Sequence, residues 1–240
     1  MTASNSETLT RTVTVDGTLT HKVQWKDYTN VDRELTYSLS SDEYILYAEK
    51  NRPHYFRISQ IASFVTWELD AIKEIADKLD TMATAGSMNE QEKANLIASF
   101  VNYGNKGMND SFYYGPSGSI SADVEYYSYP TESLYNWMLF GKIGDCDCHA
   151  ILTAAIGKAA GFDTAIIVII KSGAEGHAVA GIRDETFTEP PAQTNAYWKV
   201  VNGYYSCETF RPSHNLWVGN LENGYSEGNG YSLTAWPVRG

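Results

Sequence analysis

Residues 164–170 read Thr-Ala-Ile-Ile-Val-Ile-Ile, β-branched and apolar on both faces. A strand of that kind must be covered on both sides, because alternation would otherwise leave one face polar. It comes directly after residues 146–161, CDCHAILTAAIGKAAG, where small and apolar residues recur at helical spacing and Gly161 stands where a helix is expected to end. The next apolar segment, GHAVAGI (176–182), reads as a second strand, and AYWKVV-NG-YYSCETF (196–210) as a hairpin about Asn202-Gly203. The order helix, strand, strand, strand, with one long loop at 183–195, predicts an α+β fold with a helix laid on an antiparallel sheet.

The upstream part prepares that core. TRTVTVDGTLTHKVQW (10–25) alternates and carries Asp16-Gly17 at its centre, which predicts an N-terminal hairpin. RELTYSLSSDEYILYAEK (33–50) reads as further strand with a turn at Ser40-Ser41-Asp42. Apolar residues three and four apart between Ile58 and Ala83 predict a helix. A second helix is expected to open at Ser87, with Glu90 in capping-box spacing, and to end near Gly104. Residues 105–130, rich in Gly, Ser, Asn and Tyr, read as loop. The organisation expected is a β-rich segment over 1–55, a helical segment of the same domain over 56–110, and a core over 111–240.

Charge and length narrow the function classes. The chain has 240 residues, 43% apolar and 20% charged, with net charge −11. That composition supports a packed core and argues against disorder. The acidic balance argues against nucleic acid, whose phosphates require clustered Lys and Arg. The longest apolar run, 165–170, is too short to span a bilayer. The first ten residues hold no apolar signal segment, so export, to the cell envelope or beyond, would need a leader outside this sequence. Three cysteines, two of them one residue apart, exclude a disulfide framework.

Those two cysteines carry the chemical interest. Gly144-Asp145 ends a loop and the helix is expected to begin at Cys146. There the free N–H groups and the helix dipole favour thiolate, while Asp145 and Asp147 oppose it, so a cationic partner is required. Cys148 points about 200° away from Cys146 around the helix, which weighs against the two sharing a metal in Cys-Asp-Cys-His. Cys148 reads as a buried apolar residue. No metal or other cofactor is expected.

A nucleophilic thiol needs a base and an acceptor behind it. Of the five histidines, His21 and His54 read as surface, His149 as a capping or exposed residue of the first helical turn, and His214 as a loop residue. His177 opens an otherwise apolar strand, where an imidazole is costly without a purpose. Glu208 shares a strand face with Tyr204 and Ser206, again an expensive place for a charge. Cys146, His177 and Glu208 thus supply nucleophile, base and orienter. Asp184 and Asn195 are the alternatives for the third position.

The segments YPTESL, GDCDCHAILTAAIGKAAGFDTAIIVI, GHAVAGI, YYSCETF and LWVG, over about residues 124–220, resemble the transglutaminase-like cysteine peptidase superfamily. The likeness is greatest to a branch found in archaea and bacteria. A fainter likeness extends to DEYILYAEKNRP and WELDAIKEIADKL. The resemblance implies a papain/transglutaminase-like fold, with the nucleophile-bearing helix packed on an antiparallel sheet behind an N-terminal hairpin and helical extension. It matches Cys146 to the family nucleophile, His177 to its base and Glu208 to its third member. The chain departs from the pattern at Cys148, where the family is usually acidic, and by the extra residues YNWMLF before the Gly-Asp-Cys.

The function expected is thiol-dependent acyl transfer through a thioester, with hydrolysis of peptide or isopeptide bonds ranked first. The rivals are a crosslinking transglutaminase and a non-catalytic binding module. The backbone N–H of Cys146 is the expected oxyanion donor, with Asn136 or Trp137 as a second. Trp198 and Trp217 are the expected substrate-binding aromatics. The partner class is a peptide or protein substrate, cell-envelope material included.

Overall fold

The computed structural model describes residues 17–50, 58–104, 127–141, 143–173, 176–191, 193, 195–210 and 217–239. The fold is mixed α+β. Strands β1 (Thr18–Lys26) and β2 (Asp32–Ser40) form an antiparallel hairpin, with Lys26 opposite Asp32. Its turn closes on Asp27, whose Oδ1 accepts the N–H groups of Thr29 and Val31 while Oδ2 accepts Arg33 Nε–H at 2.8 Å. The expected Asp16-Gly17 hairpin has Asp16 outside the described residues, and the strand after Gly17 pairs with β2.

Helix α1 (Ser41–Ala48) replaces the turn expected at Ser40-Ser41-Asp42. Ser40 is its N-cap and accepts the Glu43 N–H, so the serine pair starts a helix rather than reversing a strand. The single helix expected from Ile58 is divided. Residues Ile58–Phe64 are 3-10, and α2 (Asp70–Ala85) begins after a stretch without regular structure that ends at the extended Leu69. Val65, Thr66 and Trp67 are weak helix formers, and Asp70 places a carboxylate in the first turn, where the dipole favours it. Helix α3 (Glu90–Tyr103) is capped by Asn89, with Glu92 completing the box and Gly104 as C-cap. Ser87, the cap expected, instead takes φ +53° in the preceding turn.

Helix α4 (Pro130–Phe140) begins where a loop is expected to end and covers most of YPTESL and all of YNWMLF, for which no helix is expected. Its signals are present: Pro130 in the first turn, and Glu132 accepting the Tyr129 N–H at 2.8 Å. Helix α5 (Cys146–Ala159) comes next, and every residue from Asp147 to Gly157 is buried. It contacts α2, α3 and α4 on one side and strands β3 (Asp163–Ile170) and β4 (His177–Arg183) on the other. Small side chains permit that crowding; a Cβ on Gly157 would sit 3.2 Å from Thr164 Cγ2.

The main sheet is wholly antiparallel in the order β6-β7-β4-β3-β9, with β6 (Val200–Val201), β7 (Tyr204–Cys207) and β9 (Ser232–Pro237). The expected strand 196–201 divides at Lys199. Strand β5 (Ala196–Trp198) pairs with β8 (Asn220–Glu222) in a second small sheet. The Lys199 N–H bonds to the Gly219 carbonyl and its own carbonyl accepts the Ser206 N–H, so this residue joins the two sheets. Alternate residues of β3 serve both faces: Ile166 and Val168 join the helix-side core, and Ala165, Ile167 and Ile169 the opposite one. Each fully buried Ile there contributes about 1.5–3 kcal/mol. No helix among the described residues is long and apolar enough to cross a membrane.

Candidate active site

Three elements meet at the N-terminus of α5. Asp145 caps the helix, its Oδ1 accepting the Cys148 N–H at 3.4 Å. The preceding Gly144 leaves no room for a side chain, since a Cβ there would lie 2.2 Å from Cys148 Cβ. This close passage presses the loop onto the helix start. Cys146, first residue of the helix, is half-buried, whereas Cys148 and Cys207 are buried. Cys148 faces Ser128, whose hydroxyl and backbone N–H point at its sulfur.

The Ala178 N–H of β4 points at the Cys146 sulfur, which puts the thiol one residue from His177. Burial, then the Asp147 and Asp145 carboxylates, push this thiol up, and Glu208 adds a smaller push; the Ala178 N–H acts the other way. Among the described residues no direct hydrogen bond joins Cys146 to His177.

His177 and Glu208 are in direct contact. Both are buried, and His177 Nε2–H donates to Glu208 Oε2 at 2.6 Å. A carboxylate only accepts, so Nε2 is the donor and Nδ1 is the nitrogen turned away from Glu208. The other oxygen, Oε1, accepts the Phe210 N–H at 3.0 Å, which fixes the carboxylate at both ends. The segment that carries it is tied to two helices. Thr209 Oγ1 lies 3.1 Å from Thr153 Oγ1 on α5, which itself donates to the His149 carbonyl. Asn102 of α3 donates to the Thr209 carbonyl. Glu208 is therefore placed by side chains more than fifty residues away, which no local pattern reveals.

Most of the other expected residues are held by scaffold contacts of their own. His149 is fully buried rather than exposed, edge-on to Phe210 at 5.8 Å, and burial lowers it to about 4. The fully buried face of α5 overrides the polarity of the side chain. His21 is half-buried too, bonded to Tyr37 at 2.8 Å and packed edge-on to Trp137. His54 and His214 fall outside the described residues. Asp184 binds Thr186, and the Asn195 carbonyl accepts the Asn223 N–H. Trp137 is committed to the core against Phe100, and Asn136 is half-buried on α4. Trp198 is exposed and rests on Tyr205, while Trp217 packs edge-on to Tyr28. Both tryptophans are thus seated on tyrosines of the scaffold, whereas the imidazole of His177 is flanked by Tyr225 and Phe210.

One group of ligand-type side chains gathers near the helix start. Asp145, Asp147 and Cys148 bring such atoms within 4.8 Å of one another, without Cys146 or His149. Asp145 already serves there as the helix cap.

No family model matches the chain, and neither the curated proteins nor the solved structures compared with it gave a match.

Proposed function

We propose that the protein is a thiol-dependent acyl-transfer enzyme of papain/transglutaminase-like architecture that hydrolyses peptide or isopeptide bonds. The observation that carries this reading is the buried His177–Glu208 hydrogen bond beside the start of α5, where the one partly exposed cysteine sits. A charge-assisted pair kept dry at a strand end is expensive unless it serves a purpose.

In this mechanism His177 Nδ1 takes the thiol proton as the Cys146 sulfur attacks a substrate carbonyl. Because the thiol is pushed up, proton transfer accompanies the attack instead of preceding it. The backbone N–H of Cys146, which at the first helical position has no partner within the helix, would donate to the developing oxyanion. The C–N bond then breaks, the imidazolium returns its proton to the leaving amine, and a thioester remains. Water, deprotonated by His177, attacks that thioester, releases the acid and restores the thiol. Glu208 holds the imidazole tautomer throughout. Trp198, exposed on β5, stays the aromatic candidate for meeting a substrate, and Asn136 the side-chain candidate for a second oxyanion donor.

One observation favours a non-catalytic module instead: the thiol is pushed up and makes no direct hydrogen bond to His177. Apo geometry of this kind is common in working enzymes and tightens with substrate. A mixture of quenched peptides, assayed with wild type, Cys146→Ala and His177→Ala, separates the readings. Hydrolysis by the wild type, lost in both variants, with an acyl adduct on Cys146 by mass spectrometry, is the outcome expected. Equal hydrolysis by wild type and Cys146→Ala would overturn the proposal. A labelled primary amine in the same assay should enter only a minor share of product; a major share would make the enzyme a transglutaminase.

A further inference from the structure

Tyr225 lies flat on the His177 imidazole, with ring centroids 4.3 Å apart and planes 11° from parallel. The tyrosine ends a short 3-10 turn, Asn223–Tyr225, directly after β8. That turn is held on several sides. Tyr197 Oη–H donates to the Tyr225 carbonyl at 3.2 Å, and Tyr231 packs edge-on to its ring at 5.6 Å. Asn229 Nδ2–H spans the turn to the carbonyls of Asn223 and Gly224, and Lys199 pairs with Glu227. The Asn223 N–H reaches the Asn195 carbonyl at 2.9 Å. A run of Asn, Gly and Ser is thus made into a fixed mount for one aromatic ring.

A single hydrogen bond from Nε2 to Glu208 fixes one atom of the imidazole. It leaves the ring able to swing about the Nε2–Oε2 line, and every such swing moves Nδ1. A flat contact over the whole ring face removes that freedom. Phe210, tilted 55° at 6.0 Å, bounds the ring as well. We infer that Tyr225 is a positioning residue for His177: its ring face sets the imidazole plane, keeps Nε2 on Glu208 and leaves Nδ1 with its lone pair in one place. The catalytic consequence rests on the acyl-transfer reading given above, but the geometric claim does not.

The test uses the whole protein with ¹⁵N-labelled histidine, as wild type and as Tyr225→Phe, Tyr225→Leu and Tyr225→Ala. Imidazole ¹⁵N shifts report the His177 tautomer, and alkylation of Cys146 by iodoacetamide is followed from pH 5 to 9. The Phe variant keeps the flat face and should match wild type in both. The Ala and Leu variants should show mixed tautomers, an altered pH profile and alkylation near pH 7 slower by about three- to tenfold, the size of one aromatic contact. Wild-type behaviour of Tyr225→Leu would show that bulk alone suffices and would overturn the inference, as would an unchanged tautomer in Tyr225→Ala. Should the Ala variant fail to fold, the Leu and Phe pair carries the same comparison. A shifted tautomer together with alkylation indifferent to His177→Ala would sink the acyl-transfer reading while leaving Tyr225 as the residue that positions the ring.

Discussion

Glu208 acts on two neighbours in opposite senses. Its Oε2 holds His177 Nε2–H at 2.6 Å, while its charge opposes ionisation of Cys146. Glu208→Gln therefore gives a result whose sign is informative. If Glu208 orients the base, Cys146 alkylation near pH 7 should fall by about tenfold or more, because a misplaced tautomer removes general-base help. If it were only a nearby negative charge, the rate would rise. Alkylation kinetics compared with the melting temperature decide between the two.

Accessibility separates the three thiols. Cys146 should take up limiting iodoacetamide before Cys148 and Cys207, both of which are buried. Peptide mapping at low labelling would show it. First labelling at Cys148 would mean that the loop at Gly144 opens in solution.

Asp147 is the stronger of the two flanking carboxylates that hold the Cys146 thiol up. Replacing it with Asn should let the thiol ionise more readily. The thiolate fraction then rises, and the lower basicity of that thiolate cancels part of the gain. The net expectation is faster alkylation near pH 7. A slower rate would assign Asp147 a positive role at the site.

His149 ties stability to acidity. Burial lowers it to about 4 from an ordinary value near 6.5. The unfolded chain then binds a proton that the folded chain refuses between those limits, so stability is complete above about pH 6.5 and declines as pH falls toward 4. The loss amounts to about 3 kcal/mol over that span. Urea titrations at about pH 7, 5.5 and 4 should show it, with a flatter dependence in His149→Gln. Parallel slopes for the two proteins would mean that other groups set the acid limit.

The middle of the chain is the most legible. The strands at 163–170 and 177–183 and the helix from Cys146 come from β-branched runs, small-residue spacing and the loop end at Gly144-Asp145, all of them local signals. His177 stands out as a polar residue opening an apolar strand; Glu208 is expected on a strand face, whereas β7 ends at Cys207 and the carboxylate lies one residue beyond it. Less legible is anything settled by distant contacts. His149 reads as exposed from its place in a first turn, yet the surrounding helices bury it. Residues 196–201 read as one strand, yet Lys199 turns its backbone to two different sheets. Helix α4 escapes the periodicity although Pro130 and Glu132 mark its start, because its remaining turns are dominated by aromatic and apolar side chains on every face. Tyr225 sits in a Gly- and Asn-rich stretch that carries no signal of a ring partner; the small sheet formed by β5 and β8 and the contacts around its turn bring it to His177.

The outer edge of β3 has a late partner. Val168 stands opposite Ala178 on one side and opposite Thr234 on the other. On a ribosome the first pairing can form soon after β4 emerges, while the second waits for about fifty further residues. During that interval a row of Ile and Val offers open backbone hydrogen bonds to any other strand within reach. A chain cut before Ser232 would keep that edge bare permanently, and aggregation rather than simple loss of activity is what such a truncation should produce.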